Sequence, residues 1–142
     1  MTTTLAPTPA AEAEELRHSA VRFLCGMPGL EEHTEYRLIG MDGLPVFWLE
    51  CEAEPEIALP VIMAAHIAPE YTFELSDADA QVLGLRSAED ALVLATLTIS
   101  QQLGTATANL FAPIVVNRHT FVAKQVILEG SKHSLRHPVD SL

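Results

Sequence analysis

Residues 91–99, Ala-Leu-Val-Leu-Ala-Thr-Leu-Thr-Ile, form the strongest β-strand pattern in this chain. The odd-numbered side chains from Val93 to Ile99 are all apolar, and successive side chains of an extended backbone point to opposite faces. The opposite face begins with Leu92 and Leu94 and ends in threonines. The pattern therefore predicts a strand whose odd-numbered face packs into a filled core.

Shorter strand patterns lie on both sides of this segment. Ser76 is a suitable N-cap, Asp77 and Asp79 favour the positive end of a helix, and Gly84 is a stop, so one two-turn helix is predicted. The other segments indicate strands, and the two apolar runs among them, 46–49 and 60–65, indicate strands buried on both faces. The predicted strands lie at 20–25, 33–39, 46–49, 60–65, 91–99, 113–118 and 121–128.

This order of elements predicts an all-β fold. Strands without long intervening helices do not fit a parallel α/β sheet. We expect a small antiparallel β-barrel of about seven or eight short strands with one minor helix. Residues 1–17 are expected to be a disordered leader, and residues 18–142 a single β-barrel domain with a polar C-terminal tail.

Composition limits the location and the partners of the protein. No apolar run approaches the ~20 residues that a membrane helix needs, and the N-terminus does not resemble a secretory signal, so we expect a cytoplasmic protein without a membrane partner. The net charge is −11. Residues 1–100 hold 17 acidic and four basic residues, whereas residues 101–142 hold two acidic and four basic ones. This imbalance disfavours direct nucleic-acid binding and favours a basic protein partner.

Catalytic and metal-binding patterns are weak. His133 and His137 have the i, i+4 spacing of a helical metal site, but Pro138 disfavours a helix there. Cys25 and Cys51 are interpreted as reduced thiols, with Cys25 packed in phase with its strand. The sequence therefore predicts no enzyme, no metal and no cofactor; the alternative is a small β-barrel ligand-binding protein, which would need polar groups facing inward.

Several separated stretches, taken together, resemble the flagellar assembly factor FliW family. The most specific are Thr-Ala-Asn-Leu-Phe-Ala-Pro-Ile-Val-Val-Asn at 107–117 and Ser-Leu-Arg-His-Pro at 134–138. The others are Gly-Met-Pro-Gly-Leu-Glu (26–31), Val-Phe-Trp-Leu-Glu (46–50), Pro-Glu-Tyr (69–71), Glu-Leu-Ser-Asp-Ala-Asp (74–79) and Lys-Gln-Val-Ile-Leu (124–128). The resemblance covers roughly residues 20–139, and residues 63–68 depart from the family's more aromatic, proline-containing stretch.

The resemblance implies a compact β-barrel and a non-enzymatic partner switch. Members of the family bind flagellin in the cytoplasm, and they also bind the carbon-storage regulator, a small RNA-binding dimer that represses flagellin translation. Export of flagellin releases the factor, which then binds and antagonises the regulator and so relieves repression. On this basis the free protein is expected to be a monomer.

Two groups of residues are predicted to contact partners. Glu70, Tyr71, Asp77 and Asp79 are acidic or aromatic and lie on a loop and a helix start, where aromatic side chains make good anchors. For Tyr71 the alternative is that its ring caps the barrel. The second group is a polar tail that we expect to dock, either on a partner or back onto the barrel. It comprises Ser134, Leu135, Arg136, His137 and Pro138. Asn109 and Asn117, by contrast, are predicted to form turns.

Overall fold

The computed structural model describes residues 2–6, 16–40, 46–100, 102 and 104–139. None of the helices in these ranges is long and apolar enough to cross a membrane. The elements are β1 (Thr2–Leu5), β2 (Ala20–Phe23), β3 (Glu35–Gly40), β4 (Val46–Cys51), β5 (Ala58–Met63), α1 (Ala64–Ile67), β6 (Phe73–Ser76), α2 (Asp77–Leu83), β7 (Ala91–Ser100), β8 (Thr105–Ala108), β9 (Ile114–Asn117), β10 (Val122–Gln125) and β11 (His137–Val139).

Seven strands close into a barrel, as the sequence predicted. Their order is β7-β5-β4-β3-β2-β10-β9, and the ring closes where Ala91–Leu94 of β7 pair with β9. Six of these contacts are antiparallel, but β10 runs parallel to β2, with Ala123 opposite Phe23. The parallel pair is a geometric necessity, because strand directions cannot alternate all the way around a ring with an odd number of members.

Two apolar cores lie on either side of the barrel wall. The barrel core fills the interior and draws side chains from all seven barrel strands, among them Phe23, Tyr36 and Phe47. The outer core lies between the barrel wall and a second layer, in which β1 and β6 form a two-stranded sheet and α2 follows β6. Because the second layer covers part of the wall, some barrel strands are buried on both faces.

Strand β7 is the central example, and its orientation differs from the sequence prediction. Leu92 and Leu94 face the barrel core, whereas Val93 and its odd-numbered neighbours up to Leu97 face the outer core. Ile99 is 48% exposed, because this end of β7 extends beyond the ring to pair with β8. Strand β4 also differs from prediction: Trp48 is 36% exposed, so that strand is buried on both faces only in part.

The predicted helix is confirmed, and a second, single-turn helix was not foreseen. Helix α2 begins after Ser76, whose Oγ accepts a hydrogen bond from Asp79 N at 3.1 Å, and it ends at Gly84 in the left-handed region (φ 73°). Helix α1 occupies Ala64–Ile67, at the end of a run predicted as strand. Its paired alanines have high helix propensity, which explains the change of backbone after Met63.

Strands occur in two segments where the sequence predicted none, Thr2–Leu5 and His137–Val139. Thr2–Leu5, assigned to a disordered leader, form β1 and pair with β6, and Leu5 is fully buried. The rest of that predicted leader is described only at Ala6, Leu16 and Arg17, since residues 7–15 lie outside the described ranges. The polar tail contains β11, which pairs with β8. Backbone pairing needs no apolar side chains, so the polar composition of the tail did not reveal it.

The two cysteines also differ in environment. Cys51 is buried in the barrel core, whereas Cys25 is exposed because β2 ends at Phe23, two residues earlier. The alternation that predicted a packed Cys25 stops with the strand. Both thiols are free.

Candidate functional site

Tyr71, predicted as a surface anchor, is instead an internal support. Its ring is buried in the outer core, and its hydroxyl donates a hydrogen bond to Leu110 O at 2.7 Å. The rings of Tyr71 and His133 pack edge to face, with their centroids 4.7 Å apart. Burial raises the pKa of the Tyr71 hydroxyl well above its usual range. Tyr71 therefore fixes the loop that carries Glu70, which is itself exposed.

The second predicted group lies beside this support. Leu110 N donates to Ser134 O at 2.9 Å, so a single residue connects Tyr71 to the start of the tail. His137 and Pro138 belong to β11, opposite Ala108 and Thr107 of β8. Between these attachments, Leu135 is 60% exposed and Arg136 is exposed. The structure thus pairs the tail with β8 and leaves Leu135 and Arg136 exposed between the two attachments.

The two aspartates of α2 have different surroundings. Asp79 forms an ion pair with Lys124 of β10, which ties the first turn of the helix to the barrel wall. Asp77 is exposed at the same turn. Of the first predicted group, Glu70 and Asp77 are therefore exposed, while Tyr71 is buried and Asp79 is half-buried.

A groove beside β6 was not singled out by sequence reasoning. It has a volume of about 410 Å³ and lies between residues 72–74 and the turn at 128–133. His133 Nε2 donates to Thr72 O at 2.8 Å and so connects the two walls. The only sequence signal for the groove was the polar turn Glu129-Gly130 directly after an apolar run. Residues so far apart in sequence meet only in the folded chain.

Acidic side chains gather at one end of the barrel, on the loop before β3 and the connection between β4 and β5. Glu52 N donates to Glu35 O at 3.0 Å, which brings the two segments side by side. Arg37 Nε lies 3.2 Å from a Glu52 carboxylate oxygen, and His33 Nε2 lies 3.4 Å from Glu54. We call this set the acidic end: Glu31, Glu32, Glu35, Glu52, Glu54 and Glu56, all of them exposed.

Among the described residues, the side chains of the barrel core are mostly apolar, and the Tyr36 hydroxyl is a polar group buried with them. The side chains of the barrel core are almost fully buried against one another, and the groove described above lies outside the barrel. Within the part of the chain that the structure describes, no group of three or more His, Cys, Asp or Glu side chains is placed to hold a metal ion. The fold is thus a small closed β-barrel with an apolar core in its interior and a second apolar core outside its wall.

Comparison with known proteins identifies the family. The family model described as "FliW protein" matches residues 4–139. The flagellar assembly factor FliW of Syntrophomonas wolfei is 30% identical over 129 residues, which cover 90% of this chain and 83% of that protein. The protein of the same name from Bacillus subtilis is 30% identical, with 84% of each chain covered. A crystal structure of the flagellar assembly factor FliW superposes with a TM-score of 0.76 at 30% identity, covering 84% of each chain.

The chain therefore belongs to the FliW family, whose named relatives are flagellar assembly factors. The match begins at residue 4, within β1, and so includes the last two residues of the N-terminal strand, which the resemblance from residue 20 onward had left out. This agreement fits the burial of Leu5 in the outer core.

Proposed function

We propose that this protein is a non-enzymatic flagellar assembly factor that works in the cytoplasm as a switch between two protein partners. In its first state it binds flagellin. When flagellin is exported, the freed factor, a monomer, binds the carbon-storage regulator and antagonises its repression of flagellin translation. Membership of the FliW family, shown by the match over residues 4–139, is the observation that carries this proposal.

The charge of the surface supports the second partner. An RNA-binding regulator presents lysine and arginine to phosphates, so it carries the charge opposite to that of the acidic end. The acidic end holds six exposed carboxylates. Arg37 forms an ion pair with one of them, and His33, when protonated, forms an ion pair with another. Opposite charges on two surfaces accelerate their encounter and favour one relative orientation.

We further propose that Glu70 and Asp77 contact a partner on one surface, and that Leu135 and Arg136 do so on the neighbouring tail. Leu135 offers an exposed apolar side chain between two attachment points, the Ser134 carbonyl and β11. The other predicted residues are proposed to hold these contact residues in place through their own bonds or strand pairing. They are Tyr71, Asp79, Ser134, His137 and Pro138. An exposed leucine held at a fixed position loses little entropy on binding.

Affinity capture tests the partner identities. The purified full-length protein is immobilised, exposed to a lysate of a flagellated bacterium, and washed, and the bound proteins are identified by mass spectrometry. We expect flagellin and a small RNA-binding regulator to elute. Purified flagellin added before the lysate should then reduce the amount of regulator recovered. Recovery of neither protein would refute the proposal, and recovery of both without competition would refute the switch.

A matched pair of variants tests the tail. Leu135→Ala removes an exposed side chain, and Val82→Ala removes another exposed apolar side chain on α2. We expect Leu135→Ala to weaken capture of one partner and Val82→Ala to leave both unchanged. Equal effects of the two substitutions would contradict a contact at the tail.

A further inference from the structure

In the part of the chain that the structure describes, strand β6 pairs with another strand along one edge. That neighbour is β1, which pairs with it from Thr2 opposite Ser76 to Leu5 opposite Phe73. The groove is lined by Thr72, Phe73 and Glu74 and by no residue of β1. An open strand edge presents backbone N–H and C=O groups that can pair with another extended chain.

The volume of the groove and its partly apolar lining suit an extended chain. Its volume of about 410 Å³ lies next to a four-residue strand. Phe73 and Leu128, both almost fully buried, contribute apolar surface to its lining. His133 closes one end through its hydrogen bond to Thr72 O. An extended segment can therefore pair with β6 and place an apolar side chain towards this lining.

The charge of the groove selects among extended segments. Its lining residues include Glu74 and Glu129, and the other ionisable residue in the lining is His133. The hydroxyls of Thr4 and Thr2 donate to Glu74 at 2.6 and 2.7 Å, and these bonds hold the pKa of Glu74 below its usual range. Lys132, adjacent in sequence to His133, does not line the groove. The groove is thus an acidic slot at neutral pH.

We propose that the groove beside β6 is a strand-addition site for an extended segment of a protein partner that carries a lysine or arginine between two apolar residues. The backbone of the segment pairs with β6, and its basic side chain lies between Glu74 and Glu129. The inference rests on the groove alone and does not depend on the flagellar partners proposed above, because the test uses synthetic peptides.

The test is a titration of the full-length, ¹⁵N-labelled protein followed by NMR. The probe is the peptide acetyl-Thr-Val-Arg-Val-Thr-amide, and its counterpart has glutamate in place of arginine. We expect the arginine peptide to shift the amide signals of residues 73–75 and 129–131. The glutamate peptide should bind more weakly by about fivefold, the effect of roughly one exposed ion pair.

Matched variants separate the groove from general acidity. Glu129→Gln, in the groove, should weaken binding of the arginine peptide by about two- to fivefold. Glu56→Gln removes the same charge at the acidic end and should have no effect. Equal binding of the two peptides, an unchanged affinity in Glu129→Gln, or shifts confined to β11 would each overturn the proposal. Shifts of the β6 signals with protein concentration alone would assign the groove to a second copy of the chain and would also overturn it.

Discussion

At the scale of single residues, the two asparagines that flank β9 show how one side chain can organise a turn. Asn109 Oδ1 accepts hydrogen bonds from Phe111 N and Ala112 N, both at 3.0 Å, so its prediction as a turn residue is confirmed. Asn117 does more than form a turn. It is buried, its amide nitrogen donates to Leu83 O at 2.8 Å, and its Oδ1 accepts from His119 N at 2.8 Å. It therefore joins the end of α2 to the turn between β9 and β10.

Replacing Asn117 by alanine should destabilise the protein strongly. The substitution leaves the carbonyl of Leu83, a buried residue, without this partner, and an unsatisfied buried group costs about 1–3 kcal/mol. It also removes the acceptor for His119 N in the turn. Urea denaturation followed by circular dichroism measures the loss. Gln81→Ala on the exposed face of α2 is the control, with an expected change within about 0.5 kcal/mol. A similar midpoint for both variants would contradict the role assigned to Asn117.

Asp90 should make stability depend on pH in the acid range. Hydrogen bonds from the backbone N–H of Arg86, from His119 and from the N–H of Ser87 lower its pKa in the folded protein. A lowered folded-state pKa means that this stabilisation is complete above the unfolded-state pKa, about 3.9, and is lost as the pH falls through the folded-state value.

Denaturation midpoints measured between pH 7 and pH 3 test this linkage. Asp90→Asn should lower the midpoint at pH 7 and reduce its fall towards pH 3. Glu56→Gln removes an exposed carboxylate elsewhere on the surface and should leave the slope unchanged. An acid slope in Asp90→Asn equal to that of the parent protein would rule out the assigned contribution.

At the scale of elements, β1 is a strand that the sequence did not predict. Its four residues read as the start of a threonine- and alanine-rich leader, yet they complete the two-stranded layer over the outer core. Leu5 provides the packing, and the threonine hydroxyls bond to Glu74. A short strand with one buried side chain carries too little pattern to be told apart from a disordered segment.

Leu5→Ala tests this element. A leucine that is fully buried leaves a cavity when truncated, at a cost of about 2–5 kcal/mol. Leu135→Ala is the same chemical change at a side chain that is 60% exposed, and it should cost less than about 0.5 kcal/mol. Chemical denaturation of both variants gives the comparison. A disordered N-terminus would make Leu5→Ala as mild as Leu135→Ala.

At the scale of the whole molecule, charge is distributed unevenly around a packed barrel. The first hundred residues carry 17 acidic and four basic side chains, and six of the acidic ones gather at the acidic end. Exposed charges interact over a Debye length of about 8–10 Å at moderate salt. Association with a basic partner through this surface is therefore expected to depend on ionic strength.

Binding of the purified carbon-storage regulator should weaken by about tenfold when salt is raised from low to well above physiological concentration. Isothermal titration calorimetry at several salt concentrations measures this dependence. A variant with glutamine at Glu52, Glu54 and Glu56 should bind more weakly at low salt and show a flatter dependence. Affinity of the parent protein that does not change with salt would exclude an electrostatic role for the acidic end.

The sequence by itself determined the fold class, the two-turn helix and the family. These follow from local signals: side-chain alternation, a serine cap with a glycine stop, and runs of residues such as 107–117 that act as a fingerprint. Each depends on neighbours within a few positions, so no knowledge of distant contacts was needed.

Only the tertiary structure decided which face of β7 enters the barrel, where the ends of the chain pair, and where the groove lies. Period-two alternation separates two faces but does not say which is inside, and here both are buried because a second layer covers the wall. Backbone pairing of β1 and β11 is indifferent to side-chain composition. The groove lies between residues 72–74 and residues 128–133. The hydroxyl of Tyr71 donates a hydrogen bond to Leu110 O, so Tyr71 supports the fold from inside and is not a surface anchor. Such contacts between distant segments exist only once the barrel has closed.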